Sequence, residues 1–210
     1  MYLSDLDLKE AIKSGQLIFD PPPEPDHIDP TSIDLLLDEV TEAKIWDMEK
    51  YSKDQEDRGE ARAELRIAKY NLSGFSSKYL CEPPEYSEAS KHLVQRRLSQ
   101  IIVRPSGFVL WQTKAKVGTP PDGATLICFV DGKSTRARAG IVVHLTAPTI
   151  HAGWAGKITL EIVNLGPFDL VLQENDVIAQ LTVAQITRAP EKLMAHTSVT
   201  HEQKSVDGTS

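Results

Sequence analysis

Residues 123–164 read GATLICFVDGKSTRARAGIVVHLTAPTIHAGWAGKITLEIVN. Three strand-like runs stand out: GATLICFV, GIVVHLTA and GKITLEIVN. Each is rich in Val, Ile, Leu and Thr, and each is bounded by Gly, Pro, Asn or Asp. β-branched side chains suit a pleated, half-buried surface, and the bounding residues suit turns. The same grammar extends outward, to IIVRPSGFVLWQT upstream and to FDLVLQ and DVIAQLTVAQI downstream. Short strands with turn signals at intervals of about ten residues predict an all-β sandwich or barrel rather than a βαβ fold.

The rest of the chain is arranged around this β region. SDLDLKEAIKSG near the start predicts a short helix: Ser4 caps it, Asp7 is the capping acid, and Gly15 closes it. Leu8 and Ile12 are one turn apart and face inward. FDPPPEP is a rigid link, and SIDLLLDEV (32–40) reads as a strand. Residues 43–100 differ: they are highly charged, with helices expected around 58–70 and over SEASKHLVQRRLSQ (87–100). They read as an insertion in a single domain spanning 1–190. The polar tail 191–210 is expected to be flexible alone and to order over a ligand.

The chain has 210 residues, enough for a sizeable core, and a formal charge of −7. That charge excludes a general nucleic-acid binder, which needs a basic footprint. The two cysteines, Cys81 and Cys128, have neither disulfide-framework nor zinc spacing. The acidic, amphipathic N-terminal stretch is not expected to act as a signal peptide, and no apolar run approaches the 18 or so residues of a membrane span. The expectation is a cytoplasmic protein.

Three places could carry chemistry. Glu161 lies in the otherwise apolar strand GKITLEIVN, on the face opposite Ile158, Leu160 and Ile162. Either that face is solvated, or the carboxylate is half-buried and usable as a proton shuttle. DGKSTRARAG (131–140) sets two hydroxyls, a lysine and two arginines between glycines in an acidic chain. It is either a solvated hairpin or a site for phosphate oxygens. HLTAPTIHAGWAG (144–156) holds His144 and His151, which have no third ligand at metal spacing, and Trp154 beside Gly153 and Gly156. GxGxxG, Walker, HExxH, GxSxG and zinc-deaminase signatures are absent.

Together, DGKSTRARAGIVVHLTAPTIHAGWAGKITLEIVN resembles the dCTP deaminases of the dUTPase-like superfamily. Their pattern runs D-G-R-S-S-x-A-R-x-G, then H-x-T-A-x-x-I-D-P-G-W-x-G, then L-E-x-x-N, and the blocks match in order without a gap. LSDLDLKEAIKSGQL, TSIDLLL and RPSGFVLWQT also resemble family segments. The resemblance implies a mainly β fold with peripheral helices, a distorted β-barrel or jelly-roll-like dUTPase-type (β-clip) fold, in a homotrimer with intersubunit active sites. It implies hydrolytic deamination of dCTP to dUTP and ammonia, with Mg2+ on the triphosphate and no zinc.

By the same resemblance Glu161 is the general base and acid, and Ser134 and Arg138 complete the catalytic set. Arg138 would also hold Glu161 charged. Nucleotide contacts fall on Lys133, Ser134, Thr135, Arg138, Thr146, Ala147, His151, Trp154, Thr159, Leu160 and Gln203. The chain departs from the pattern at several positions. Lys133 replaces an arginine, His151 and Ala152 replace the aspartate and proline of I-D-P-G-W, and the tail offers Gln203 and Lys204 without a tyrosine. A dUTPase, a bifunctional deaminase–diphosphatase, or a non-catalytic nucleotide-binding homologue are the alternative readings.

Overall fold

In the computed structural model, which describes residues 1–59, 65 and 72–192, every paired strand runs antiparallel to its partner. Helix α1 (Asp5–Lys13) opens the chain, and its capping box forms as expected. The Ser4 side chain accepts from the Asp7 amide, while Asp7 Oδ2 accepts from the Ser4 amide at 3.1 Å. Leu8 is fully buried and Ile12 packs against the core.

Two sheets carry most of the body. One contains β1 (Ile18–Asp20), β8 (Phe108–Gly118), β12 (Ala155–Asn164) and β10 (Ile141–Val142), in the order β1-β8-β12-β10. The other contains β2 (Ile28–Asp29), β3 (Ser32–Leu36), β9 (Leu126–Gly132), β11 (Thr149–Ile150) and β14 (Val177–Gln185), in the order β11-β9-β14-β3-β2. They share one apolar cluster that includes Ile33, Leu35, Trp111, Leu160, Ile162, Leu181 and Val183. Full burial of each such side chain contributes about 1.5–3 kcal/mol. The Trp111 indole, fully buried, donates to the Glu39 carbonyl at 3.0 Å, so its polar atom is satisfied. The mainly β expectation holds. Among the described residues neither sheet closes into a barrel.

A third sheet, β13-β7-β6, joins β6 (Val94–Arg97), β7 (Gln100–Val103) and β13 (Leu170–Gln173). It corrects the helix expected over 87–100. Val94 to Arg97 pair with Val103 to Gln100, across a two-residue link in which Leu98 takes φ 56°. Pairing buries Val94 and Gln95 against the apolar strand Ile101–Val103. Such tertiary burial outweighs the weak helical preference of a Gln/Arg-rich stretch.

Strands β4 (Ile45–Trp46) and β5 (Leu80–Cys81) pair beside helices α2 (Met48–Glu56) and α3 (Leu72–Tyr79). Phe75 lies 5.2 Å from Trp46, 5.5 Å from Tyr51 and 4.9 Å from Tyr79, centroid to centroid. The Tyr79 hydroxyl donates to Asp54 Oδ2 at 2.9 Å, and Lys78 pairs with the same oxygen at 2.5 Å. Most of the helix expected over 58–70 falls outside the described residues.

Candidate active site

The cationic stretch leaves the sheet at the end of β9. It forms one short helix, α4 (Ser134–Ala137), with Lys133 at its N-cap and Arg138 at its C-cap. Gly140 closes it at φ +89°, where a side chain is strained. A Cβ on Gly140 would lie 2.2 Å from the Gly166 nitrogen, so the backbones meet only because both residues are glycine. The Leu165 amide then donates to the Gly140 carbonyl at 2.8 Å, and β10 joins β12 through Ile141↔Asn164. Ser134, Thr135 and Arg138 are solvent-exposed.

Lys133 behaves differently from its neighbours. Its ammonium forms an ion pair with Asp34 Oδ1 and donates to Asp29 Oδ2 at 3.0 Å. His27 Nδ1 lies 3.4 Å from the other Asp34 oxygen. Partial burial works to lower the Lys133 pKa, but the hydrogen bonds to Asp34 and then Asp29 outweigh it, and the net shift is upward.

Glu161 stands in the middle of β12, across from Leu110 on β8. Leu160 and Ile162 on either side of it are fully buried in the core, so Glu161 takes the opposite face and is half-buried. Pairing of β10 with β12 stops at Val142↔Val163, and the chain turns away over 143–148. Where the ladder would have continued, Glu161 Oε2 accepts from the Leu145 amide at 3.3 Å. Its other carboxylate oxygen has no hydrogen-bond partner among the described residues. The Nδ1 of neighbouring His144 is buried and unpartnered among those residues. A half-buried carboxylate with one oxygen free is suited to taking a proton from a water held against it.

The structure thus gathers Glu161, the exposed Thr146 and Ala147 of the adjoining turn, and Thr159 on the same face of β12. It sets other expected residues apart. Trp154 and Leu160 are buried in the apolar cluster, leaving chiefly backbone for a ligand to meet at Leu160. His151 is exposed, and its carbonyl accepts from the Trp154 amide at 3.3 Å. Among the described residues no hydrogen bond or ion pair joins Ser134 or Arg138 to Glu161, so the pairing expected of Arg138 is not made among them. Gln203 lies outside the described residues.

Sequence reasoning missed a second polar cluster on the face of β12 that carries Glu161. Lys157 forms an ion pair with Asp38 Oδ2, to which Gln112 Nε2 also donates at 2.7 Å. Gln112 Nε2 lies 3.3 Å from Glu42 Oε2 as well. Here two steps along β12, Lys157 to Thr159, are matched by four along β8, Lys116 to Gln112. The Ile158 amide, displaced from the ladder, donates to Thr113 Oγ1 at 2.9 Å.

The site thus combines an antiparallel β scaffold, a glycine-closed cationic turn and a strand carboxylate. A family model described as dCTP deaminase-like matches residues 2–186, and the chain belongs to that family. A relative from Natronomonas pharaonis named dCTP deaminase is 30% identical over 193 residues, covering 91% of this chain and 84% of the relative. One from Methanobrevibacter smithii, named dCTP deaminase, dUMP-forming, is 30% identical over 198 residues, covering 92% and 85%. The crystal structure of 2'-deoxycytidine 5'-triphosphate deaminase from Agrobacterium tumefaciens superposes with a TM-score of 0.56 at 15% identity, which shows the shared fold. The match takes in 87% of this chain and 47% of that one, so this chain spans about half its length.

Among the described residues, no helix is long and apolar enough to cross a membrane. No group of three or more His, Cys, Asp or Glu side chains among them could hold a metal ion.

Proposed function

We propose that the protein hydrolyses the 4-amino group of dCTP, giving dUTP and ammonia. The observation that carries this reading is Glu161, half-buried with one carboxylate oxygen uncommitted, inside a chain of this family. Glu161 takes a proton from water as the water oxygen adds to C4 of the base. The proton passes to N3, and a second transfer gives the amine the proton it needs to leave. The C4–N bond breaks, ammonia departs, and the C4 carbonyl forms. The Leu145 amide holds one Glu161 oxygen in place, leaving the other for the water.

Ser134 and Arg138 are assigned to the water and the phosphates, with Arg138 supplying a two-pronged donor. Their exposure fits a homotrimer in which one subunit's α4 faces another's Glu161. Exposed apolar Leu145, Leu165, Phe168 and Val171 lie on the segments around Glu161 and α4 and are suited to cover by a neighbouring subunit. Thr146 and Ala147 would meet the base, and the tail with Gln203 would close over the triphosphate.

Magnesium, implied by the family resemblance, fits as an ion carried by the triphosphate. Asp29 and Asp34, the carboxylates that reach α4, are engaged with Lys133, and Mg2+ is commonly held by substrate phosphates with few protein ligands. Bound there, it would offset phosphate charge. The expected setting is the cytoplasmic nucleotide pool.

The M. smithii relative's name supports a second reading, in which the product goes on to dUMP. His151, standing where the family pattern has an aspartate, weighs against it. The test is product analysis after incubation with dCTP, dUTP, dCDP and dCMP in the presence of magnesium. Ammonia and dUTP from dCTP support the proposal, and pyrophosphate with dUMP supports the second reading. No conversion of any cytosine nucleotide by folded protein would leave a non-catalytic binder.

A further inference from the structure

The family resemblance assigns Lys133 to the nucleotide, as a lysine in the place of a phosphate-binding arginine. The geometry points elsewhere. We propose that Lys133 is a positioning residue: it clamps α4 to the first β-hairpin through Asp34 and Asp29, and does not grip phosphate itself.

The Lys133 ammonium has three donors and meets two carboxylates of its own chain. Its side chain is 23% exposed and that of Asp34 10% exposed, so the main pair is largely withdrawn from water. Asp34 is held on its other oxygen by His27. One lysine here faces two aspartates. A phosphate could take only the third donor of this ammonium without displacing a carboxylate, and both carboxylates would repel it. Breaking such a pair leaves a poorly solvated charge behind, which is costlier than forming a solvated contact is favourable.

Topology gives the clamp its purpose. β9 delivers the chain to α4, and β14 separates β9 from β3. In register, Asp131 on β9 faces Gln180 on β14, which faces Asp34 on β3. The Lys133 side chain therefore reaches past β14 to β3 and on to Asp29 in β2. At the far end Gly140 fixes α4 to Gly166 by close backbone approach. Ser134 to Arg138 lie between these two anchors, exposed and otherwise without tertiary hydrogen bonds among the described residues. Holding that short segment still before the nucleotide arrives lowers the ordering cost of binding.

The proposal rests on α4 being the nucleotide-facing element of the deaminase. Its test compares Lys133→Met, Lys133→Arg, Asp34→Asn and Asp29→Asn in the full chain. The first readout is hydrogen–deuterium exchange of amides 134–140 without nucleotide. The second is steady-state kinetics with dCTP. A positioning lysine predicts faster exchange over 134–140 in Lys133→Met and Asp34→Asn, with the amides of β12 unchanged. Both variants then lose kcat/KM alike, on the order of 10- to 100-fold, as expected for misplaced contact groups. The double variant is no worse than either single, and Lys133→Arg recovers most of the loss.

A phosphate-gripping lysine predicts the opposite sign for Asp34→Asn. Freeing the ammonium would leave KM unchanged or lower it, while Lys133→Met alone raised KM; that outcome overturns the proposal. Should Asp34→Asn not fold, Asp29→Asn decides on the same two readouts, because Asp29 is half-exposed. A wild-type protein that does not turn over dCTP would refute the deaminase reading. The exchange comparison would still accept or reject the clamp.

Discussion

The environment of each side chain decides its chemistry at the residue scale. Cys128 is fully buried in β9, and burial pushes its thiol up to about 12; Cys81 is half-buried, and burial raises its pKa too. The stability held by keeping the Cys128 thiol protonated is complete below its unfolded pKa of about 8.5 and is lost as pH rises toward the folded value. A thiol reagent at pH 8 should therefore modify Cys81 in the native protein and reach Cys128 only after unfolding. Rapid reaction of both thiols in native buffer would contradict the burial of β9. Glu161→Gln keeps shape and hydrogen-bonding capacity but cannot take a proton. Activity on dCTP should fall by about 10²- to 10⁴-fold, with the thermal midpoint near that of the wild type. An active Gln variant would remove the glutamate from the mechanism. Glu161 was legible as an acid in an apolar strand, and the same signal stands at Asp34 and Asp38 in SIDLLLD. Those two were not read because their lysines lie 99 and 119 residues away, a pairing that local pattern does not encode.

Local rules served elements well where the element was self-sufficient. The α1 capping box and the long strands β8, β12 and β14 follow from caps and periodicity. They served poorly where a distant partner decides: β6 exists because β7 covers it, and GIVVHLTA yields only the two-residue β10 because the chain leaves the ladder to bond Glu161. The turn between β9 and β10 was legible in composition, but the single helical turn α4 within it was not. Gly140 is where this element is most exposed to change. Gly140→Ala forces a Cβ to within 2.2 Å of the Gly166 backbone, at φ +89°. Left-handed strain alone costs about 1–2 kcal/mol, and the overlap adds to it. Chemical denaturation should show a loss of about 2 kcal/mol or more. A neutral Gly140→Ala would mean that α4 and the 165–166 turn are not held in close contact.

The whole-molecule arrangement was the least legible, because sheet order is set by contacts spread across the chain. Nothing in the sequence orders β11-β9-β14-β3-β2, and only the family resemblance suggested that sites are shared between subunits. The chain presents Ser134 and Arg138 to solvent and Glu161 on a half-buried strand face, with no hydrogen bond or ion pair between them among the described residues. If the site forms where copies meet, each catalytic set draws on two chains. Glu161→Gln and Arg138→Ala homotrimers should then each be nearly inactive. Co-expressed with different affinity tags and purified through both, mixed trimers should regain activity. Each mixed trimer then has about one third of its sites with an intact glutamate from one chain and an intact arginine from its neighbour. Mixed trimers as inactive as either parent would place both residues in a site built within a single subunit. In that case α4 would have to move toward β12 when the nucleotide binds. Exchange over residues 134–140 measured with and without dCTP separates these two outcomes, since docking within one chain must protect α4 even in a protein held monomeric.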